Sequence, residues 1–266
     1  MSAQQHPQIR RVDSDGVITL TFTRDEKMNA VSPEMLDVMR ATVTEFAEKD
    51  EHRVLVFTAE GRFFTAGIDI GRLEDGASHQ THSGINLRRE YRRLHLLFDE
   101  LEAIEKPVIH AAQGPCFGVG VELSASCDFR LAAARATYAL PEIINLAVIA
   151  GSGGVSRVTR LVGPHWARWI AMAPQAADAQ KAMIMGLVHE IYPDETFAED
   201  VQKFARSLAS LSREALGLAK MAIDAAASSD RVTARNFDRV ANSLLINSDE
   251  HHAKIKAFMD KANRKK

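Results

Sequence analysis

Cysteine is nearly absent from this chain: Cys116 and Cys127 are its two thiols, with no CxxC spacing and no ligand cluster around them. That excludes a disulfide framework and a thiolate zinc site, and it fits a reducing cytosol. Long hydrophobic runs are missing as well. No window approaches the roughly 18 apolar residues of a membrane span, and residues 1–16, MSAQQHPQIRRVDSDG, contain no apolar signal-peptide core. Neither secretion nor membrane insertion is expected, and the expected location is cytoplasmic. Charge of one sign is lacking too. With 33 Lys and Arg against 35 Asp and Glu, the net charge of −2 gives no electrostatic reason to expect nucleic acid or an anionic membrane as partner. Lys261 to Lys266 is locally basic, as a solvated tail end is. There is no GxSxG elbow, no HExxH pair and no P-loop, so serine hydrolase, zinc hydrolase and nucleotide-binding readings lose their usual signatures.

What is present is an alternation of strand and helix patterns. Residues 17–24, VITLTFTR, put Ile18, Leu20 and Phe22 on one face and Val17 and three threonines on the other, the period of a half-buried strand. Ser32 followed by Pro33 reads as a helix N-cap with proline at the first helical position, and Met35, Met39, Val43 and Phe46 recur at helical spacing behind it. Residues 53–59 and 107–112 are short apolar runs typical of buried strands. Between them, Leu87, Tyr91, Leu94, Phe98 and Leu101 step along one helix face, while Arg88, Arg89, Arg92 and Arg93 lie on the other as a solvated face or a phosphate grip. His110, inside the apolar run, reads as a satisfied core histidine. From residue 196 onward the pattern is helical throughout. The expected class is α/β over residues 1–195, with a helical packing or oligomerisation region over 196–266.

Three stretches carry candidate chemistry. Gly61 and Gly67 bracket GRFFTAG, either a loop turning a corner or a place where backbone approaches a ligand. Gly118-Val119-Gly120 leads into a helix start near Val121, where unpaired N–H groups and the positive dipole end gather. Together, an N–H from the Gly67-Ile68 turn and one from the GVG turn would form an oxyanion hole. Two acids sit among apolar neighbours: Glu122 between Val121 and Leu123, and Glu142 between Pro141 and Ile143. An acid in such surroundings is costly to bury, and a flanking general acid and base can move a proton at one carbon and water at the next. The glycine-rich run at 151–154 opens a helix near Ser152 but lacks the residues of a phosphate loop. Residues 71–84 have no periodicity and read as a mobile lid. His79 and His82 within it have no carboxylate or cysteine frame, so no metal site is assigned.

GRFFTAGIDI at 61–70, GPCFGVGVELSASCDFRLAA at 114–133, ALPEI at 139–143, AGSGGVSRVTRLVG at 150–163 and AMIMGLVHEIYP at 182–193 together resemble the enoyl-CoA hydratase/isomerase superfamily, the crotonases. The resemblance covers nearly the whole chain. It implies a crotonase-like spiral of β-β-α units with a C-terminal helical trimerisation region, assembled as a homotrimer or dimer of trimers. It implies an oxyanion hole from the N–H groups of Ile68 and Val119. It also implies that Glu122 and Glu142 hold water between them, Glu122 activating it for C3 and Glu142 moving the proton at C2. Coenzyme A, part of the substrate and not a cofactor, is expected near Lys27, Met28, Ala66, Gly67, Asp69 and Ile70, with Gly118 and Gly120 lining the acyl turn. The implied activity is hydration of 2-enoyl-CoA. A double-bond shift by the second acid is the alternative within the family, and an acyl-CoA-binding or scaffold role is the alternative outside it.

The chain departs from the family pattern at Val119, where glycine is usual. It departs again at Asn145, Leu146 and Ala147, in a stretch that often carries glycine, and at Ala253-Lys254, where many relatives have an acid and a glycine. Ala150-Gly151-Ser152 offers no further aspartate of the kind the dienoyl isomerases need. These departures bear on the acyl group accepted more than on the fold.

Overall fold

The alternating residues 17–22 form a strand near the middle of a large sheet. The computed structural model describes residues 2–70 and 84–263, so the expected lid up to residue 83, with His79 and His82, lies outside the described residues, and Gly84 belongs to a helix. The strands are β1 (Ser2–His6), β2 (Ile9–Ser14), β3 (Val17–Phe22), β4 (Val54–Ala59), β5 (Val108–Ala112), β6 (Cys116–Phe117), β7 (Phe129–Ala133), β8 (Thr137–Ala139), β9 (Ala177–Asp178) and β10 (Glu190–Tyr192). The helices are α1 (Pro33–Glu48), α2 (Gly84–Ala103), α3 (Val119–Ala125), α4 (Glu142–Leu146), α5 (Gly154–Met172), α6 (Ala179–Ile184), α7 (Phe197–Ala209), α8 (Arg213–Ser228), α9 (Arg231–Leu245) and α10 (Asp249–Asn263). Strand order in the large sheet is β1-β2-β3-β4-β5-β7-β10. β1 to β3 are antiparallel, and β3 to β10 in that order are parallel neighbours. A smaller sheet, β6-β8-β9, stands apart.

Parallel neighbours need crossovers, and α1, α2 and α3 lie in those from β3 to β4, β4 to β5 and β5 to β7. α1 starts where Ser32 and Pro33 predict, with Ser32 Oγ accepting the Met35 N–H at 3.2 Å. α5 is broken at Gly163, whose φ of 73° interrupts the helix just before Pro164.

One apolar cluster joins Ile18, Leu20, Phe22, Leu55 and Phe57 to Met35, Met39 and Phe46 of α1 and to Phe98 and Leu101 of α2. The opposite sheet face is buried too. Val17, Val54, Val56, Ile109 and Leu131 pack against Phe197, Val201, Ala205 and Leu208 of α7, and Gln202 Nε2 donates to Thr19 Oγ1 at 3.0 Å. β3 is therefore covered on both sides, not half-buried, because α7 lies over its threonine face. Each large apolar side chain so buried contributes roughly 1.5–3 kcal/mol, which makes α7 part of the core. The chain accordingly divides into compact units at 1–209 and 210–266, one helix later than the change of pattern at 196 suggests.

Within the second unit, α8 and α9 pack on each other. Its helices leave Ile223, Val240, Leu244 and Phe258 exposed. No described helix is long and apolar enough to cross a membrane.

Candidate active site

Strands β3, β4 and β5 end side by side, and the three segments that leave them are tied together. Asn29, fully buried, is the knot: its Nδ2 donates to the carbonyls of Glu60 and Phe63, and its Oδ1 accepts the Arg24 N–H. Its φ of +53° is one that asparagine tolerates better than most residues. Gln113, just past β5, donates to the same Phe63 carbonyl at 2.9 Å. Thr65 Oγ1 donates to Asn29 O and accepts the Gly67 N–H.

The Gly67 turn is thereby clamped from two sides. Val31 donates to Gly67 O and Asp69 to Val31 O on one side, while Phe117 donates to Thr65 O on the other. The Gly118 turn is anchored by its own N–H on Ala139 O. Gly118 has φ 54° and ψ −120°, a conformation open in practice to glycine alone. The two turns touch, since a Cβ at Gly118 would lie 3.5 Å from Gly67 Cα. Through all this pairing the N–H groups of Ile68 and Val119 find no acceptor among the described residues. Val119 is the first residue of α3, two residues before the helix start expected from the pattern, so its amide belongs to the unpaired helix start.

Glu122 follows one turn on, and its residue is only 2% exposed. Its Oε1 accepts two backbone N–H bonds, from Ser152 at 3.0 Å and from Gly154 at 3.1 Å, both at the start of α5. Burial pushes the carboxyl up to about 7; the Gly154 and Ser152 donors oppose the rise and the charge of Glu142 adds to it. The glycine-rich run whose pattern hints at phosphate thus binds the chain's own carboxylate.

Glu142 opens α4, and burial raises its carboxyl as well. Its Oε1 lies 2.8 Å from where a Gly118 Cβ would stand, and its buried Oε2 has no partner among the described residues. Ile143, Ile144, Leu146, Val148 and Ile149 after it are exposed apolar side chains. Ala147 ends α4 in the left-handed conformation, at φ 55°, which glycine adopts with less strain.

The other expected ligand-binding positions divide. Ala66 donates its N–H to Met28 O, so the Met28 and Ala66 segments adjoin, and Lys27, Met28, Ile68 and Ile70 are exposed. Asp69 is engaged elsewhere: its carboxylate pairs with Arg24 at 2.6 Å. Gly120 is aimed into the protein, where a Cβ would stand 2.4 Å from Thr65 Cγ2. That glycine serves close packing of α3 on the Thr65 turn. His110 is a core residue as expected, its ring 4.3 Å from that of Phe64, but it is only partly satisfied. Nε2 lies 3.6 Å from Cys116 Sγ and Nδ1 has no partner among the described residues. Burial keeps it neutral, with its pKa lowered to about 3.

Residues 13–265 match the enoyl-CoA hydratase/isomerase family. Crotonyl-CoA hydratase of Syntrophomonas wolfei subsp. wolfei is 30% identical over 243 residues, covering 91% of this chain and 91% of that protein. The mitochondrial Delta(3,5)-Delta(2,4)-dienoyl-CoA isomerase of Dictyostelium discoideum is 26% identical over 261 residues, or 95% of this chain and 88% of that one. Among solved structures, the enoyl-CoA hydratase of Bacillus anthracis matches with a TM-score of 0.87 at 28% identity over 96% of each chain. The expected crotonase-like α/β fold is met by these likenesses.

Proposed function

The chain belongs to the enoyl-CoA hydratase/isomerase family, and on that premise we propose that it hydrates 2-enoyl-CoA thioesters to 3-hydroxyacyl-CoA. The observation that carries this reading is a buried carboxyl and a half-buried one in unlike settings, next to two unclaimed amides. Glu122 is held by two N–H groups, while Glu142 keeps Oε2 free. In the proposed reaction, negative charge builds on the thioester oxygen and is stabilised by the N–H groups of Ile68 and Val119. Ionised Glu122 takes a proton from water as its oxygen bonds to C3, and protonated Glu142 gives its proton to C2. The two carboxyls end with protonation exchanged and reset through solvent. The coenzyme A portion enters with the substrate, along Lys27, Met28, Ala66 and Ile70, and no resident cofactor takes part.

The direct test is to mix the protein with crotonyl-CoA and longer 2-enoyl-CoAs and follow loss of the conjugated thioester absorbance. Turnover with formation of the 3-hydroxyacyl product is expected. Binding without turnover on any chain length would sink the reading and favour the acyl-CoA-binding or scaffold role. A double-bond shift by Glu142 alone is favoured by its unclaimed Oε2, and an isomeric enoyl product without water uptake would identify it. The reading includes assembly through the C-terminal helices, as a homotrimer or dimer of trimers. The apolar side chains exposed on α8 to α10 support it, and sedimentation measures it.

A further inference from the structure

The loop that grips Glu122 is itself gripped from behind by α2. Tyr91, His95, Phe98, Asp99 and Glu102 recur at helical spacing along one side of that helix, and each meets the segment from Gly151 to Arg157. The Tyr91 ring closes over Gly151, where a Cβ would stand 2.7 Å from Cζ. His95 Nε2 lies 3.1 Å from Gly151 O, so that nitrogen carries the proton and donates. Arg157, in the first turn of α5 with a side chain only 8% exposed, donates through Nε to Glu102 Oε1 at 2.7 Å and through Nη2 to Asp99 Oδ1. Its Nη1 donates to Ser152 O at 3.3 Å, and its guanidinium lies over Phe98, 5.7 Å from the ring centre.

Such bonding is more than a buried arginine needs for its own satisfaction. One guanidinium spends two donors on an acid pair of α2 and a third on the carbonyl of Ser152, whose own N–H holds Glu122. At Gly153, with φ 105°, a Cβ would stand 2.0 Å from Arg157 Nη1, so the loop wraps closely around the guanidinium. Arginine suits the place because its planar fork fixes several acceptors at once, which a lysine ammonium does not.

We propose that Arg157 is a positioning residue, held by Glu102 and Asp99 of α2, that fixes the Ser152 and Gly154 N–H groups against Glu122. The charged and titratable groups in play are few. Asp99, Glu102, His95 and Tyr91 face the loop from α2. Glu142 from α4 and the hydroxyl of Ser152 act on Glu122 itself. Removing the brace lets the loop relax and the amides drift, and a carboxylate losing N–H donors is harder to ionise. The effect on rate rests on the hydratase reading; the effect on Glu122 does not.

Two readouts on Arg157→Gln, Arg157→Lys and Glu102→Gln separate those dependencies. In carbon-13 carboxyl spectra, with the Glu122 signal assigned by its absence in Glu122→Gln, the Glu122 midpoint should move to higher pH in Arg157→Gln. It should move less in Arg157→Lys and in Glu102→Gln, which keeps the Asp99 pair. In hydration assays, kcat should fall by about 10- to 100-fold in Arg157→Gln, with KM held within about threefold and partial recovery in Arg157→Lys. If Arg157→Gln does not fold, Glu102→Gln carries both measurements. Folded variants with an unmoved Glu122 midpoint and unchanged kcat would overturn the proposal, and a lowered melting temperature alone would mark Arg157 as merely structural. Were the wild-type protein inactive on every enoyl-CoA, the hydratase reading would fall while the Glu122 titration still decided the brace.

Discussion

Gly154 and Glu122 are fitted to each other: the glycine N–H donates to Oε1 at 3.1 Å, and the Cβ that glycine lacks would stand 2.9 Å from that same oxygen. Donor and acceptor can meet only because nothing is attached at that carbon. Ala150 Cβ, at 2.7 Å from the same point, closes the other way out. A Gly154→Ala variant should therefore displace the carboxylate, lowering hydration kcat by about 10- to 100-fold with the circular dichroism spectrum retained. An unchanged kcat would contradict the fit.

The same carboxyl sets a pH dependence. Hydration needs Glu122 ionised and Glu142 protonated, so with Glu122 raised to about 7 the kcat/KM profile should carry a rising limb through that value and fall again as Glu142 loses its proton. The limb belongs to the coupled Glu122 and Glu142 pair. In Glu122→Gln the limb should vanish together with most of the activity. A pH profile on crotonyl-CoA, taken at constant ionic strength, checks both points.

Stability should run against activity over that range. A carboxyl at about 7 in the folded chain and near 4.5 in the unfolded one keeps its proton longer when folded. Stability is therefore fullest below 4.5 and is lost as pH rises through about 7, by on the order of 3 kcal/mol at most. Glu142 is raised in the same direction and adds to the trend. Urea midpoints at pH 5 and pH 8 should differ less in Glu122→Gln than in the wild type, and equal differences would refute the assignment.

Gly118→Ala should cost stability and chemistry together. The φ of 54° there disfavours any Cβ, at about 1–3 kcal/mol, and the added methyl would meet Glu142 Oε1 at 2.8 Å. Proton exchange at C2 of the acyl group, followed by deuterium uptake, should be lost more completely in this variant than coenzyme A ester binding. Exchange at the wild-type rate would remove Glu142 from that role.

Much of this was legible in the chain, because periodicity and glycine are local signals. Ser32-Pro33 announces α1, and Glu122 and Glu142 stand out as acids with apolar neighbours. What stayed hidden is long-range. The threonines of β3 read as solvent-facing because nothing local foretells that Phe197 and Leu208 will cover them. Gly120 and Asp69 are ligand positions by resemblance alone, and no local pattern shows Thr65 behind one or Arg24 beside the other. The partner of the glycine-rich loop lies some thirty residues earlier at Glu122, and Arg157 reaches back to Glu102. Tyr91 and Phe98 were visible as a helix stripe, but not the polar residues interleaved with them as a second function of the same face.

The scarcity of cysteine has a practical consequence. Cys116 and Cys127 bracket the segment that holds Gly118, Val119 and Glu122, and both are buried, with burial pushing the Cys116 thiol well above its ordinary range. A thiol-directed reagent meets neither while this region stays closed, so labelling proceeds through states in which the segment opens. The three helices after residue 210 contain no thiol and stay silent. The native chain thus carries its own probe for the breathing of the segment from Gly118 to Glu122, with no label introduced.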